Sequence, residues 1–261
     1  MFSVKRAVSK FRKNYEWKFL FRCFALILTF VLFVAAPEQF EIMSGWNFFG
    51  KFSVFHVLWA IWMLDMFLQL FPSRKYLPLG SSKFSVRDFI PHEMKNIRNF
   101  QNLLEYIKKC NRDTIKIGLT WLALTALIAI LYFTGVIGKN MLLLITVAFY
   151  VCDLICVLFW CPFRVWFMKN RCCTTCRIFN WDHIMMFSPL FFVPGFFTWS
   201  LCGVSIIVLA AWEISFALHP ERFYEGTNEA LRCSNCTDRL CGERRNCAAD
   251  IPSLDNITKG I

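Results

Sequence analysis

Five stretches of this sequence, 19–36, 48–71, 117–136, 141–161 and 183–218, run for 18 residues or more with few interrupting charges. About 20 such residues are what a helix needs to cross the hydrocarbon core of a bilayer. The expected fold is therefore all-α, a polytopic helical membrane protein with about five transmembrane helices. Composition supports this, since 57% of residues are hydrophobic and only 18% charged, against about 25% charged in a soluble domain. The same figures exclude a disordered chain, a collagen-like chain and a small secreted disulfide scaffold.

The basic residues are not spread evenly. Residues 1–218 hold 23 Lys and Arg against 11 Asp and Glu, whereas 219–261 hold 6 and 7. Basic residues beside apolar spans mark a cytoplasmic face, which places the N-terminus inside. Nucleic acid is excluded as a partner, because no recognition-helix, zinc-finger or RNP pattern accompanies the charge. The lipid bilayer is the expected partner, with a membrane-protein or redox partner beside it.

The order of segments follows from the same signals. Residues 1–18 form a basic amphipathic N-terminal segment, in which Val4, Val8, Phe11 and Tyr15 recur at helical spacing. Spans one and two occupy 19–71. Pro37 argues against signal-peptide cleavage after Ala36, so the first span is read as a retained anchor. Residues 72–113 form the most basic connection and contain an amphipathic helix after Pro91 that suits a headgroup layer or a protein face. Residues 114–161 form a hairpin of spans three and four, joined by the short turn 137–140. Residues 162–182 form a Cys-rich cytoplasmic loop and 219–261 a Cys-rich tail.

Segment 183–218 leaves two topologies open. As one helix its 36 residues would reach ~54 Å across a core of ~30 Å. If Pro189, Pro194 and Gly195 end an interfacial or re-entrant piece, 194–218 is a fifth span and the tail lies outside. If 200–203 turns a hairpin, there are six spans and the tail returns to the cytoplasm.

Sulfur supplies the candidate chemistry. Of 13 cysteines, Cys233, Cys236, Cys241 and Cys247 stand close enough in the tail to surround one zinc or an iron–sulfur cluster. Two disulfides are the alternative if the tail is external. In the loop, Cys172, Cys173 and Cys176 lie between Arg171 and Arg177, a setting that favours thiolates and so metal ligation or redox reactivity. Cys161, Asp182 and His183 are auxiliary candidates. Within span four, Cys152 and Cys156 lie one turn apart with Asp153 between them, a candidate intramembrane site because an acid at that depth needs a partner or a polar cavity. Asp65 and Glu213 are further membrane-level acids, with His56 and Arg22 as available partners.

No P-loop, dinucleotide fingerprint, nucleophile elbow or zinc-protease motif is present. Three functions remain. The first is a membrane-surface cysteine-thiolate site, either metal-binding with zinc or an iron–sulfur cluster, or redox-active. The second is a transporter of small molecules or metal ions using Asp153, Cys152 and Cys156. The third is a non-catalytic anchor or assembly factor. Whether the protein is an enzyme stays open.

Overall fold

The computed structural model describes residues 10–50, 52–71, 84–85, 89–91, 97–170, 172–173 and 176–232. Six α-helices carry the described chain: α1 (Lys10–Ala35), α2 (Phe55–Leu70), α3 (Ile97–Phe133), α4 (Lys139–Leu158), α5 (Asp182–Phe187) and α6 (Phe196–Leu218). No named strand occurs among the described residues. Four helices, α1, α3, α4 and α6, are long and apolar enough to cross a membrane, and α2 is a shorter apolar helix of 16 residues. The protein is an all-helical chain built for a bilayer.

Two boundaries expected between amphipathic and spanning segments do not exist. α1 begins inside the basic N-terminal segment and continues to Ala35. α3 likewise joins the amphipathic stretch to span three in one helix of 37 residues, ~55 Å long. The reason is local. From Ile97 to Ile117 there is no proline or glycine, and Asn111, Arg112 and Asp113 are too few to break a helix that both sides propagate. About half of α3 therefore extends beyond any hydrocarbon layer that its apolar half can fill.

The bundle has two distinguishable ends. At one, the 3-10 turn Pro37–Met43 caps the exit of α1, and Lys139 Nζ donates to Ser44 Oγ across 2.9 Å. There Gly45 and Gly195 meet. The Gly45 N–H donates to the Pro194 carbonyl at 3.3 Å, and the Phe196 N–H to the Gly45 carbonyl at 3.0 Å. Gly45 has φ +95, a left-handed conformation that suits glycine. The opposite end carries residues 159–170, 172–173 and 176–181, and we call it the loop end.

α6 runs unbroken from the Gly45 end to the loop end, straight through 200–203. The alternative of a hairpin turn at 200–203 is not formed, because nothing in Ser200, Leu201, Cys202 and Gly203 overrides helical continuation once 196–218 is packed. The interruption falls instead at Ser188–Phe192 and Pro194–Gly195, where a 3-10 piece follows α5. Pro189 and Pro194 each remove a backbone donor. Segment 182–195 thereby leads from the loop end to the Gly45 end as a broken passage.

Beyond α6 the described chain folds back on the loop end. The Tyr106 hydroxyl donates to the Phe223 carbonyl at 2.8 Å, the Glu229 N–H donates to the Ile90 carbonyl at 2.9 Å, and Pro91 bridges Asn228. Thus 219–232 shares an end with 84–85, 89–91 and the described residues of the cysteine loop.

Two apolar clusters hold this arrangement. The larger contains Phe40, Met43, Phe55, Trp62, Leu142, Phe187, Leu190 and Phe197, all fully buried, and it joins α2, α4, the broken passage and α6. The smaller lies at the loop end and includes Phe84, Ile117, Cys176, Trp212, Phe223 and Leu231. On the outside, Leu20, Phe24, Ile27, Val31, Leu119, Leu122, Ile130, Ile207 and Ile214 are all exposed. Such an apolar surface is unstable in water and stable in lipid.

Candidate functional site

Three polar assemblies gather near the loop end, and each draws on elements distant in sequence. The deepest joins α1, α2, α4 and α5. Arg22 donates to Asp153 Oδ2 at 2.6 Å and to the Tyr150 carbonyl at 2.7 Å, while its guanidinium stacks 3.9 Å from the Tyr150 ring centroid. Arg22 Nη2 also stands 3.9 Å from Asp65 Oδ2. His183 sits between two acids, with Nε2 3.6 Å from Asp65 Oδ2 and Nδ1 3.2 Å from Asp182 Oδ1. Gln69 Nε2 donates to the other Asp182 oxygen at 2.9 Å.

This cluster has a physical cause. A carboxylate removed from water is tolerated only when paired, so Asp65, Asp153 and Asp182 converge on Arg22 and His183. Of the two sequence-level partner candidates, Arg22 is used. His56 is elsewhere, with its ring nitrogens 2.8 Å from the Phe48 carbonyl and 3.0 Å from the Ser53 carbonyl. Asp182 and His183, expected as auxiliaries of the loop cysteines, belong to this charge cluster instead.

The second assembly pairs Arg177 with Glu213. Both guanidinium nitrogens meet the carboxylate at 2.6 Å, the Trp181 Nε1–H donates to Glu213 Oε1 at 2.8 Å, and the Trp212 Nε1–H donates to the Arg177 carbonyl at 2.7 Å. Arg177 also lies 3.6 Å from the Phe216 ring centroid. Glu213 does not need to reach the interface alone, because the cysteine loop brings it a bidentate partner.

The third assembly is made of sulfur. Cys161 follows the end of α4, and the π-helical turn Phe163–Met168 begins two residues later. The Arg164 N–H donates to Cys161 Sγ at 3.4 Å. Cys173 Sγ also lies 3.1 Å from the Cys156 carbonyl oxygen. The neighbouring Cys156 and Cys173 thiols and the Arg164 and Phe163 amides outweigh burial and hold the Cys161 thiol below its ordinary value. Cys173 moves the opposite way, because its proton is held by contact with Cys161 and by burial. The loop thus returns Cys173 to the end of α4, where Cys156 and Cys161 lie.

The sequence-level groupings divide differently in space. Cys156 leaves the intramembrane trio and joins Cys161 and Cys173. Cys152 is exposed on the outside of the bundle, and Asp153 turns inward to Arg22, so Cys152 and Asp153 do not face a common path. Cys176 is buried in the loop-end apolar cluster, where desolvation pushes its thiol up to about 12. Cys172 is half-buried. Cys233, Cys236, Cys241 and Cys247 lie outside the described residues. Among the described residues, no three His, Cys, Asp or Glu side chains are arranged to hold a metal ion.

Sequence reasoning missed the linking of Cys156, Cys161 and Cys173. Their separations of 5 and 12 residues match no ligand spacing, and only the return of the loop to the end of α4 joins them. It also missed Gln69 as an Asp182 partner, for which the single signal was an amide in an apolar helix. Comparison with family models, with curated proteins and with solved structures finds no match for this chain.

Proposed function

We propose that this chain is an integral membrane protein carrying a redox-active thiol pair at its cytoplasmic face, with Cys161 as nucleophile and Cys173 as resolving thiol. The observation that carries the reading is the return of Cys173 to the Cys156 carbonyl at the end of α4, beside a Cys161 sulfur that accepts the Arg164 N–H. The partner is a protein or small molecule bearing a disulfide. The Cys161 thiolate attacks one sulfur of that disulfide, forms a mixed disulfide and expels a thiolate. Cys173 passes its proton to that thiolate and attacks Cys161, releasing the second partner sulfur as a thiolate. The partner gains two electrons, and the Cys161–Cys173 pair loses two.

The cytoplasmic assignment rests on charge. In sequence, the connection from α2 to α3 carries Arg74, Lys75, Lys83, Arg87 and Lys95, and that from α4 to α5 carries Arg164, Lys169, Arg171 and Arg177, a bias that orients polytopic chains. With 182–195 as a broken crossing and α2 as a short one, the chain crosses six times, and both termini share the cytoplasmic side. An impermeant maleimide on intact cells should then leave Glu221→Cys at the parental background, whereas Phe49→Cys at the opposite end should label strongly. Labelling of Glu221→Cys on intact cells would refute the six-crossing arrangement.

A metal–thiolate site is the second reading, favoured by one observation. Leu231 is packed into the loop-end cluster with Cys176, and the four tail cysteines begin at Cys233, two residues later. Cys233, Cys236, Cys241 and Cys247, close together in sequence, would make a four-sulfur set for zinc or an iron–sulfur cluster.

The test is the pH dependence of Cys161 alkylation by iodoacetamide, followed by peptide mass spectrometry on anaerobically purified protein. A depressed pKa means that the thiolate persists at neutral pH and is lost only on acidification. The rate should therefore be flat from about pH 5 to 8, where an ordinary thiol rises about tenfold per unit toward its pKa near 8.5. Diamide should give a Cys161–Cys173 cross-linked peptide that Cys173→Ser abolishes. An ordinary titration of Cys161 with no cross-link refutes the thiol pair. Stoichiometric zinc, or iron with acid-labile sulfide, that Cys233→Ser with Cys236→Ser removes would establish the metal reading instead.

A further inference from the structure

On the loop-end half of α3, Lys109, Arg112, Asp113 and Lys116 recur at three- and four-residue spacing and so share one face. The π-helical turn Phe163–Met168 packs against that face, and together they enclose a concave site of about 230 Å³ lined also by Trp166, Phe167 and Lys169. Four cations meet a single carboxylate there. Asp113 is itself buried and already committed, lying 3.4 Å from Lys116 Nζ and 3.8 Å from Arg112 Nε. The cavity therefore keeps a surplus of positive charge that its own acid does not neutralise. Glu105 stands one turn before Lys109 on α3 and does not line the cavity.

The level of the cavity along the helix identifies what it would meet. The apolar run of α3 starts at Ile117, directly after Lys116, and Ile115 and Leu119 are exposed on its outside. Trp166 is 65% exposed and packs edge-on against Trp160 at 5.2 Å, an aromatic pair of the kind that sits at headgroup depth. The site thus opens where hydrocarbon gives way to phosphate. Lys169 adds its ammonium from a left-handed residue, φ 48, at the end of the π-helical turn.

We propose that this cavity binds the phosphate-bearing headgroup of an anionic phospholipid of the loop-end leaflet, with Lys109, Arg112 and Lys169 contacting phosphate and Trp166 covering the glycerol region. The chemistry shared with a free phosphate ion is an oxyanion held by ammonium and guanidinium donors. The lipid is favoured because the cavity adjoins lipid-facing apolar surface. This proposal is independent of the thiol reading.

The test is native mass spectrometry of the full chain released from nanodiscs of phosphatidylcholine doped with phosphatidylglycerol. Wild type should retain phosphatidylglycerol selectively. The triple variant Lys109→Gln, Arg112→Gln, Lys169→Asn should lose that selectivity on the order of a hundredfold, from roughly one electrostatic increment per removed charge. Asn at 169 tolerates the left-handed backbone, and Lys116 is kept because it pairs Asp113. A control triple, Lys13→Gln, Lys108→Gln, Arg222→Gln, removes as much charge outside the cavity and should retain wild-type selectivity. Equal losses in both triples would reduce the effect to general surface charge and overturn the site. Absence of selectivity in the wild type overturns it without any variant. Displacement of the retained lipid by millimolar inorganic phosphate overturns the lipid assignment in favour of a soluble anion.

Discussion

Arg22→Ala should destabilise the protein more than any other single charge removal in the bundle, by about 3–5 kcal/mol. Arg22 is almost fully buried, and it holds Asp153 at 2.6 Å while facing Asp65 at 3.9 Å. Removing it takes away the guanidinium that pairs Asp153 and faces Asp65, and removes the stacking on Tyr150 as well. The acids would then have to be protonated or hydrated by water entering the bundle, both unfavourable at this depth. Replacing the pair together, as in Arg22→Met with Asp153→Leu, should recover much of the loss, because two uncharged residues need no partner. The measurement is the apparent melting of detergent-purified protein, followed by size-exclusion fluorescence. If Arg22→Ala melts within about 2 °C of wild type, the cluster is not what holds α1, α2, α4 and α5 together.

Gly195→Ala is the second large effect, and its cause is space, not torsion. Gly195 has φ 177, an extended backbone open to any residue. Its side-chain position, however, falls on the Met43 carbonyl oxygen and 3.1 Å from the Gly45 carbonyl oxygen. A methyl group must push the two segments apart, and doing so breaks the hydrogen bonds from Gly45 N–H to Pro194 and from Phe196 N–H to Gly45. Overpacking at about 1–3 kcal/mol and two lost backbone hydrogen bonds at about 1 kcal/mol each give a loss of roughly 3–5 kcal/mol. Gly45→Ala is the informative comparison. No atom lies within 4 Å of its added carbon, so the cost is only the left-handed backbone, about 1–2 kcal/mol. Equal melting temperatures for the two variants would show that close approach at Gly195 does not limit stability.

Much of the architecture was legible in the chain. Apolar runs of helical length located α1, α3, α4 and α6. Pro189, Pro194 and Gly195 marked a real interruption because two missing N–H groups are a local property. The joining of amphipathic and spanning stretches into single helices was harder to read, since hydrophobicity changes along α3 while helical continuity does not. Ser200 and Gly203 looked like turn residues, but packing of Thr198, Leu201, Cys202 and Ser205 into the bundle keeps α6 straight.

The candidate site was legible only in part. Arg22 and the acids were visible as expensive residues at depth, and their need for partners on other helices followed from that cost. Which groups would meet was not, because Arg22 to Asp153 and Arg177 to Glu213 are long-range contacts set by helix rotation. The loop cysteines were seen as one group. Space separates Cys176, which fills an apolar core, from Cys173, which faces Cys161 and Cys156.

By itself the sequence determined the solvent of this protein, because uncompensated apolar area and buried acids depend on composition and helical period alone. Tertiary structure decided the partners: which carboxylate meets Arg22, which cysteines meet at the end of α4, and which basic residues enclose the cavity beside Trp166. Those outcomes depend on how helices turn against one another, and only packing sets that rotation.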